Sequence, residues 1–266
     1  IYDMALSFMA SSEDPISGGR HKVLGSKELN IPPQTSTIAS HVPKAVGTAF
    51  SIDRAKDLDI QERELKGNSI VLCSFGDASA NHATALSAFN TASWVTSQGG
   101  HVPIIFICED NGTGISVPTD DKWIEQNYNN RHGIDYIQTD GLHLIDLMIK
   151  SRRAEHDCRI NRSPIFLHMK TVRLMGHAGS DVEVGYKSLS EIEATEFNDP
   201  LLHSARILME NGCLSADDIL ELYESSRAQV NHVFDAVTLR PKLETAEDVM
   251  ASITENRIER IAPKYP

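Results

Sequence analysis

Between residues 70 and 170 short apolar runs alternate with stretches of helical period. Ile70-Val71-Leu72-Cys73-Ser74-Phe75 is apolar, partly β-branched and closed by Gly76-Asp77, the pattern of a buried strand that ends in a turn. From Asn81 to Val95, Ala85, Ala88, Phe89, Ala92 and Val95 recur at three- and four-residue intervals and predict a helix that breaks at Gln98-Gly99-Gly100. A second buried strand is expected over 102–108. The pattern then repeats, with a strand over 134–139, a helix over 142–158, and a strand over 165–169 introduced by Pro164. Strand, helix and strand in that order predict right-handed crossovers, which bring the carboxyl ends of the strands to one edge of a parallel sheet. The expected fold class is therefore α/β, a doubly wound parallel sheet with flanking helices. Beyond Thr171 a polar, glycine-bearing stretch runs to Tyr186. Residues 190–197, 201–209 and 216–234 then read as helices, and the Arg240-Pro241-Lys242 break leads into a polar tail expected to be an extended arm or linker. The expected organisation is an α/β domain over 1–190 with a helical extension over 191–266 packed on it. No fixed-period repeat interrupts this plan.

Composition narrows the field. With 266 residues the chain is long enough for one large domain or two small ones. No segment approaches the ~18 consecutive apolar residues of a membrane span. Lys and Arg number 25 against 37 Asp and Glu, and the net charge of −12 argues against nucleic acid as the main ligand while leaving room for a local phosphate site. The four cysteines form no CxxC pair, which disfavours zinc and redox dithiols, so they read as reduced, mostly buried thiols. Ile1 is not an initiator methionine, and the opening residues carry no export signal; the start reads as a cut or processed end, and the expected setting is the cytoplasm or an organelle matrix.

Open α/β sheets bind ligands outside the carboxyl ends of their strands, where Gly76-Asp77-Ala78-Ser79 and Glu109-Asp110-Asn111-Gly112 are expected. The Asp77 carboxylate and Asn111 carbonyl are hard oxygen donors. Magnesium takes few protein carboxylates and completes its octahedron with carbonyls, waters and phosphate oxygens, which suits Asp77, Asn111 and the Thr113 carbonyl facing a diphosphate. Gly76, Ala78 and Ser79 are small enough for backbone N–H groups to approach phosphate, and a helix starting near Asn81 adds its positive dipole end. Each loop alone is also an ordinary turn. It is their pairing across one helix that brings a metal-diphosphate site level with that reading.

The stretches GDASAN and IIFICEDNGTGIS, preceded by DPISGGRHKVLGSKELN and TSTIASHVPKAVGTAF and followed by TVRLMGHAGSD and GYKSLSEI, resemble the alpha subunit of the thiamin diphosphate-dependent decarboxylating component of 2-oxoacid dehydrogenases, of the branched-chain and pyruvate type. The resemblance spans essentially the whole chain. It implies the thiamin diphosphate-binding fold and magnesium on Asp77, Asn111 and the carbonyl of Thr113, where the family usually has tyrosine. It further implies diphosphate contacts at Gly76, Ala78 and Ser79, with Ser36 contacting the aminopyrimidine and Ile38 bending the cofactor. Thr35, Thr37 and Ser40 match a monovalent-cation loop of some branched-chain members. His177 matches the histidine of a flexible active-site loop that Arg173 and Asp181 order, and is the implied catalytic residue near the reacting carbons. On residue type alone His177 reads as a surface loop residue between Gly176 and Gly179, and His168 as a hydrogen-bonded packing residue.

The resemblance also implies partners: a beta subunit or beta domain, in a heterotetramer or fused-chain dimer, a lipoyl-bearing acyltransferase and a small 2-oxo acid. Besides Thr113, three positions depart from the family pattern. Ala78 replaces a second glycine, Glu109 stands where branched-chain members place a phosphate-binding arginine, and Ala178 replaces a phosphorylatable serine. A tyrosine-arginine segment of the family lies upstream of where this chain starts, so an N-terminally incomplete alpha unit is expected. Two other readings stay open, a noncatalytic paralogue serving assembly and a transketolase-like half.

Overall fold

The computed structural model describes residues 1–34 and 36–254. In chain order the elements are α1 (Tyr2–Phe8), α2 (His41–Asp57), β1 (Val71–Gly76), α3 (Ala83–Ser97), β2 (Ile104–Asp110), β3 (Thr113–Gly114), β4 (Val117–Pro118), α4 (Trp123–Tyr128), β5 (Asp135–Asp140), α5 (Leu144–Asn161), β6 (Ile165–Lys170), α6 (Leu189–Glu196), α7 (Pro200–Glu210), α8 (Ala216–Thr238) and α9 (Ala246–Thr254). Contacts divide them into two compact units, residues 37–215 and residues 1–36 together with those from 216 on. The sequence reading sets its one boundary at 190, where the strand pattern ends. By contact α6 and α7 fall within the sheet-bearing unit, while α1 packs on α8 in the other.

In the larger unit β1, β2, β6 and β5 form, in that spatial order, a wholly parallel four-stranded sheet. The expected α/β architecture is present, with helices on both faces and each predicted strand displaced by no more than two residues. Side chains alternate across β2. Ile104, Phe106 and Cys108 enter a core shared with α2, α3 and α4, whereas Ile105 joins Ala154 and Cys158 of α5 on the opposite face. The first core is aromatic. Phe166, fully buried on β6, stacks on Tyr128 at 4.3 Å and 13°, and meets Phe75 and Phe89 edge-on, each at 5.9 Å. Cys73, Cys108 and Cys158 are buried in these cores as free thiols, and burial pushes Cys73 and Cys158 up to about 12, so they are packing groups.

Arg162 closes α5 in the left-handed conformation and holds Asp53 of α2 through paired hydrogen bonds of 3.0 Å, while also donating to the Ser69 carbonyl ahead of β1.

In the smaller unit Ala5 and Leu6 of α1 pack on Val237 of α8, and Arg240 pairs with Glu13. The expected extended arm after Arg240 is corrected over 246–254. That stretch is α9, and Arg20 donates to the carbonyls of Val249 and Asp248. Residues 255–266 of the predicted tail lie outside the described residues. Among the described residues no helix is long and apolar enough to cross a membrane.

Candidate functional site

The parallel register pairs Gly76 with Glu109, so the loops that follow β1 and β2 leave the sheet side by side. Asp77 begins the first loop and is 3% exposed. The next residues, Ala78–Asn81, form a 3-10 turn, and α3 begins only at Ala83 under a cap by His82 Nδ1, two residues later than the sequence pattern predicts. The helix end beside Asp77 is therefore this short turn. Ala78 adopts it without a positive φ, so its methyl group costs no backbone strain there.

In the second loop Asn111 Oδ1 accepts from the Thr113 N–H at 3.0 Å, and Gly112, at φ +72°, makes the bend that a side chain would strain. The β3–β4 hairpin then doubles the chain back. Its return brings Thr119 to both loops, with its N–H donating to the Gly112 carbonyl at 3.0 Å and its hydroxyl to Asp77 Oδ2. Two side chains of α4 secure the 3-10 turn. The Trp123 indole donates to Asn81 Oδ1, and the buried Tyr128 hydroxyl donates to the Ala80 carbonyl at 2.9 Å. Asp77, Asn81, Thr119, Asp120, Trp123 and Ile124 line a cleft of about 220 Å³.

Charge distinguishes the two loop carboxylates. Asp110, also 3% exposed, has Lys170 Nζ at 2.6 Å. Burial alone would raise its carboxyl, but hydrogen bonds from His168 and Lys170, with the lysine charge, bring it down to about 2. Asp77 has no such neighbour, since among the described residues no lysine, arginine or histidine forms an ion pair with it. A buried carboxylate without a basic partner is a costly arrangement that a bound cation relieves.

The two loops touch where Ala78 meets Gly114. A Cβ at Gly114 would lie 2.9 Å from Ala78 Cβ, closer than carbon atoms pack. Gly114→Ala is therefore expected to cost about 1 kcal/mol or more in urea unfolding. Adding Ala78→Gly is expected to recover part of that loss, giving a coupling of about 0.5 kcal/mol or more in the double-mutant cycle. Simple additivity would show that the contact is not rigid.

The loop bearing His177 is tied to the same edge. Arg173 Nη1 donates to the Ile115 carbonyl in the β3–β4 hairpin at 2.6 Å, and its Nη2 donates to the Tyr186 hydroxyl at 2.9 Å. That hydroxyl donates to Asp181 Oδ2, which also accepts the His177 N–H at 2.7 Å and lies 3.8 Å from Arg173. The His177 N–H, the Tyr186 hydroxyl and the Arg173 charge hold the Asp181 carboxyl below its ordinary range against a smaller effect of burial. Gly176 is required by contact, because a Cβ there would stand 2.2 Å from the Asp181 carbonyl oxygen. The His177 ring itself is exposed.

Of the residues singled out from sequence, Gly76, Asp77, Ala78, Ser79, Asn111 and Thr113 thus lie on two loops in contact. Ile38 is 56% exposed on the turn before α2. Ser36 belongs to the smaller unit, where its hydroxyl is 3.3 Å from His21 Nε2. Thr35 lies outside the described residues. Glu109 accepts a hydrogen bond from the Ser74 hydroxyl at 2.7 Å. Thr119, Trp123, Tyr128 and Tyr186 go unmarked in the sequence reading; the turn signals at Gly112, Gly114 and Pro118 are the trace that announces the hairpin carrying Thr119.

The 2-oxoisovalerate dehydrogenase subunit alpha of Caenorhabditis elegans is 28% identical over 235 residues, which cover 86% of this chain and 51% of that protein. Its Bacillus subtilis counterpart is 28% identical over 244 residues, covering 90% and 69%. The pyruvate dehydrogenase E1 component subunit alpha of Dictyostelium discoideum is 25% identical over 207 residues, covering 77% and 51%. The chain spans about half the length of the first of these relatives. A family model described as "Dehydrogenase E1 component" matches residues 2–246, from the first helix through both strand-end loops to the start of α9, and by that match the chain belongs to the dehydrogenase E1 component family.

Proposed function

We propose that this chain is the alpha part of a thiamin diphosphate-dependent 2-oxoacid dehydrogenase, which holds magnesium and the cofactor diphosphate at the β1 and β2 strand ends and works with a beta part. The observation that carries the reading is Asp77, a buried carboxylate with no basic partner among the described residues, stapled through Thr119 to the turn that bears Asn111.

Asp77, the Asn111 side-chain oxygen and the Thr113 carbonyl would hold magnesium, all hard oxygen donors of the kind that ion prefers. The remaining positions of the octahedron would fall to water and phosphate oxygens. Gly76 fits a phosphate cradle, since a Cβ there would meet nothing nearer than the Glu109 carbonyl oxygen at 4.0 Å, and Ala78 and Ser79 continue it. Ser36 and Ile38 would contact and bend the cofactor, with Thr35, Thr37 and Ser40 as the monovalent-cation loop. When bound, thiamin diphosphate supplies the electron sink that lets a 2-oxo acid lose carbon dioxide. His177 would donate a proton or hydrogen bond at the substrate carbonyl oxygen, as an imidazole is able to do near neutral pH. Asp181 and Arg173 would hold its loop. The acyl group would pass to a lipoyl-bearing acyltransferase.

The relatives' names support both branched-chain and pyruvate-type substrates, and the DPISGGR stretch favours the branched chain. Mitochondrial and bacterial relatives support an organelle matrix or bacterial cytoplasm as the setting.

The test is decarboxylation coupled to an artificial electron acceptor, with the full-length chain and its beta part. Turnover of 2-oxoisovalerate or pyruvate is expected only when both parts, magnesium and thiamin diphosphate are present. If the assembled complex turns over neither, the chain is a noncatalytic assembly subunit; ketol transfer between sugar phosphates would make it a transketolase-like half.

A further inference from the structure

Beneath the Asn111 turn lies a buried polar chain that the proposed chemistry does not use. His168 on β6 is fully buried and stands in register between Cys108 of β2 and Gln138 of β5. Its Nδ1 is 2.6 Å from the Tyr136 hydroxyl and its Nε2 is 2.7 Å from Asp110 Oδ2. A carboxylate only accepts, so the Nε2 proton is directed at Asp110, and in that tautomer of the neutral ring Nδ1 accepts from the Tyr136 hydroxyl. Lys170, in register with Asp110, reaches the same carboxylate oxygen and also donates to the Asp121 carbonyl.

The other end of Asp110 faces the loop. Its Oδ1 accepts the Gly112 N–H at 3.1 Å, and its backbone carbonyl accepts the Thr171 N–H at 2.8 Å. The carboxylate is thus held on one oxygen by two strand residues and uses the other to set the first peptide of the Asn111 turn. A buried network of this kind gains nothing over apolar packing unless every member is satisfied. The neighbouring positions on this face, Phe106, Cys108 and Phe166, are apolar.

We propose that His168 is a positioning residue for the metal-binding turn. By orienting Asp110 it fixes the Gly112 N–H, and with it the direction in which Asn111 and the Thr113 carbonyl offer oxygen to magnesium. The proposal rests on the reading of Asp77, Asn111 and Thr113 as ligands, so its test must separate the two.

The experiment uses the full chain assembled with its beta part at a fixed saturating concentration of thiamin diphosphate, and titrates magnesium by calorimetry. Four variants are compared: His168→Leu, His168→Gln, Tyr136→Phe and Asp77→Ala. His168→Leu is expected to raise the magnesium Kd roughly 10-fold or more, the scale on which loss of an outer-shell partner acts. Glutamine accepts from Tyr136 and donates to Asp110, so His168→Gln should stay within roughly 3-fold of the parent, a rescue that a merely space-filling role would not produce. Tyr136→Phe keeps the core volume, frees the ring, and should weaken binding several-fold; it decides the matter if His168→Leu does not fold. Loss of binding in Asp77→Ala with parental Kd in His168→Leu, or in Tyr136→Phe where the leucine variant is unfolded, overturns the positioning role and leaves the site intact. An equal loss in His168→Leu and His168→Gln also overturns it. Parental binding in Asp77→Ala overturns the ligand assignment itself.

Discussion

Asp77→Ala is expected to raise the dissociation constant for magnesium with thiamin diphosphate at least about 100-fold, beyond the ~10–100-fold that removal of an outer-shell partner costs. The carboxylate is the one protein charge proposed to face the metal, and a neutral side chain cannot replace its attraction in a site shielded from water. The Thr119 hydroxyl would lose its acceptor as well, so the staple between the two loops would be cut on one side. Stability should respond differently from binding. Removing a buried carboxylate that has no basic partner relieves a desolvation penalty, and the lost hydrogen bond to Thr119 offsets that by about 1 kcal/mol. Urea unfolding is therefore expected to find the Asp77→Ala chain within about 1 kcal/mol of the parent. Asp77→Asn keeps an acceptor for Thr119 and should separate the two effects, with the staple retained and the metal weakened. Calorimetry that finds unchanged cofactor binding in Asp77→Ala would reject the site.

Phe166→Ala should have the largest effect on folding, a loss of about 3–5 kcal/mol from the transfer of a buried ring and the cavity left behind. Phe166 is at the centre of the aromatic core, stacked on Tyr128 and in contact with Phe75 and Phe89. Domains of ordinary stability hold only about 5–15 kcal/mol in total, so the variant would lose much of its margin. Phe166→Leu fills most of the space and should lose far less. Denaturant unfolding of the three chains checks the order, and a cost below about 1.5 kcal/mol for the alanine variant would show that the core collapses around the gap. The effect should reach the site, because Tyr128 is both the stacking partner of Phe166 and the donor to the Ala80 carbonyl behind Asp77. A loosened Tyr128 leaves the 3-10 turn with one fewer anchor.

The strands are legible in the sequence because each is a short apolar run, and because Gly76-Asp77, Gln98-Gly99-Gly100 and Pro164 punctuate them. Legibility fails where an element is too short for a period to develop. The hairpin strands span two residues each and α4 spans six, so no periodicity marks them. α2 has a stripe of Val42, Val46, Ala49 and Ile52, but Pro43 in its first turn disguises a start that proline tolerates well. The stretch after Arg240 resembles a linker by composition, yet its residues 246–254 form α9.

The site divides in the same way. Asp77 and Asn111 are legible because the rule that ligands bind at strand ends needs only the strands. Thr119 and Trp123 reach their partners across 42 sequence positions, and Tyr128 across 48, separations that no local pattern encodes. His168 is a packing residue as its strand setting implies, but its link to the Asn111 turn depends on the β2–β6 register, which only the fold supplies.

The close approach of Ala78 and Gly114 has a bearing on how this loop pair tolerates drift over generations. The gap accommodates one methyl group and not two, so the positions are not free to vary independently. A lineage that gains a side chain at 114 must first surrender the one at 78, and the permissive intermediate carries glycine at both. Substitutions here should therefore accumulate in a fixed order, with one position acting as the historical gatekeeper of the other.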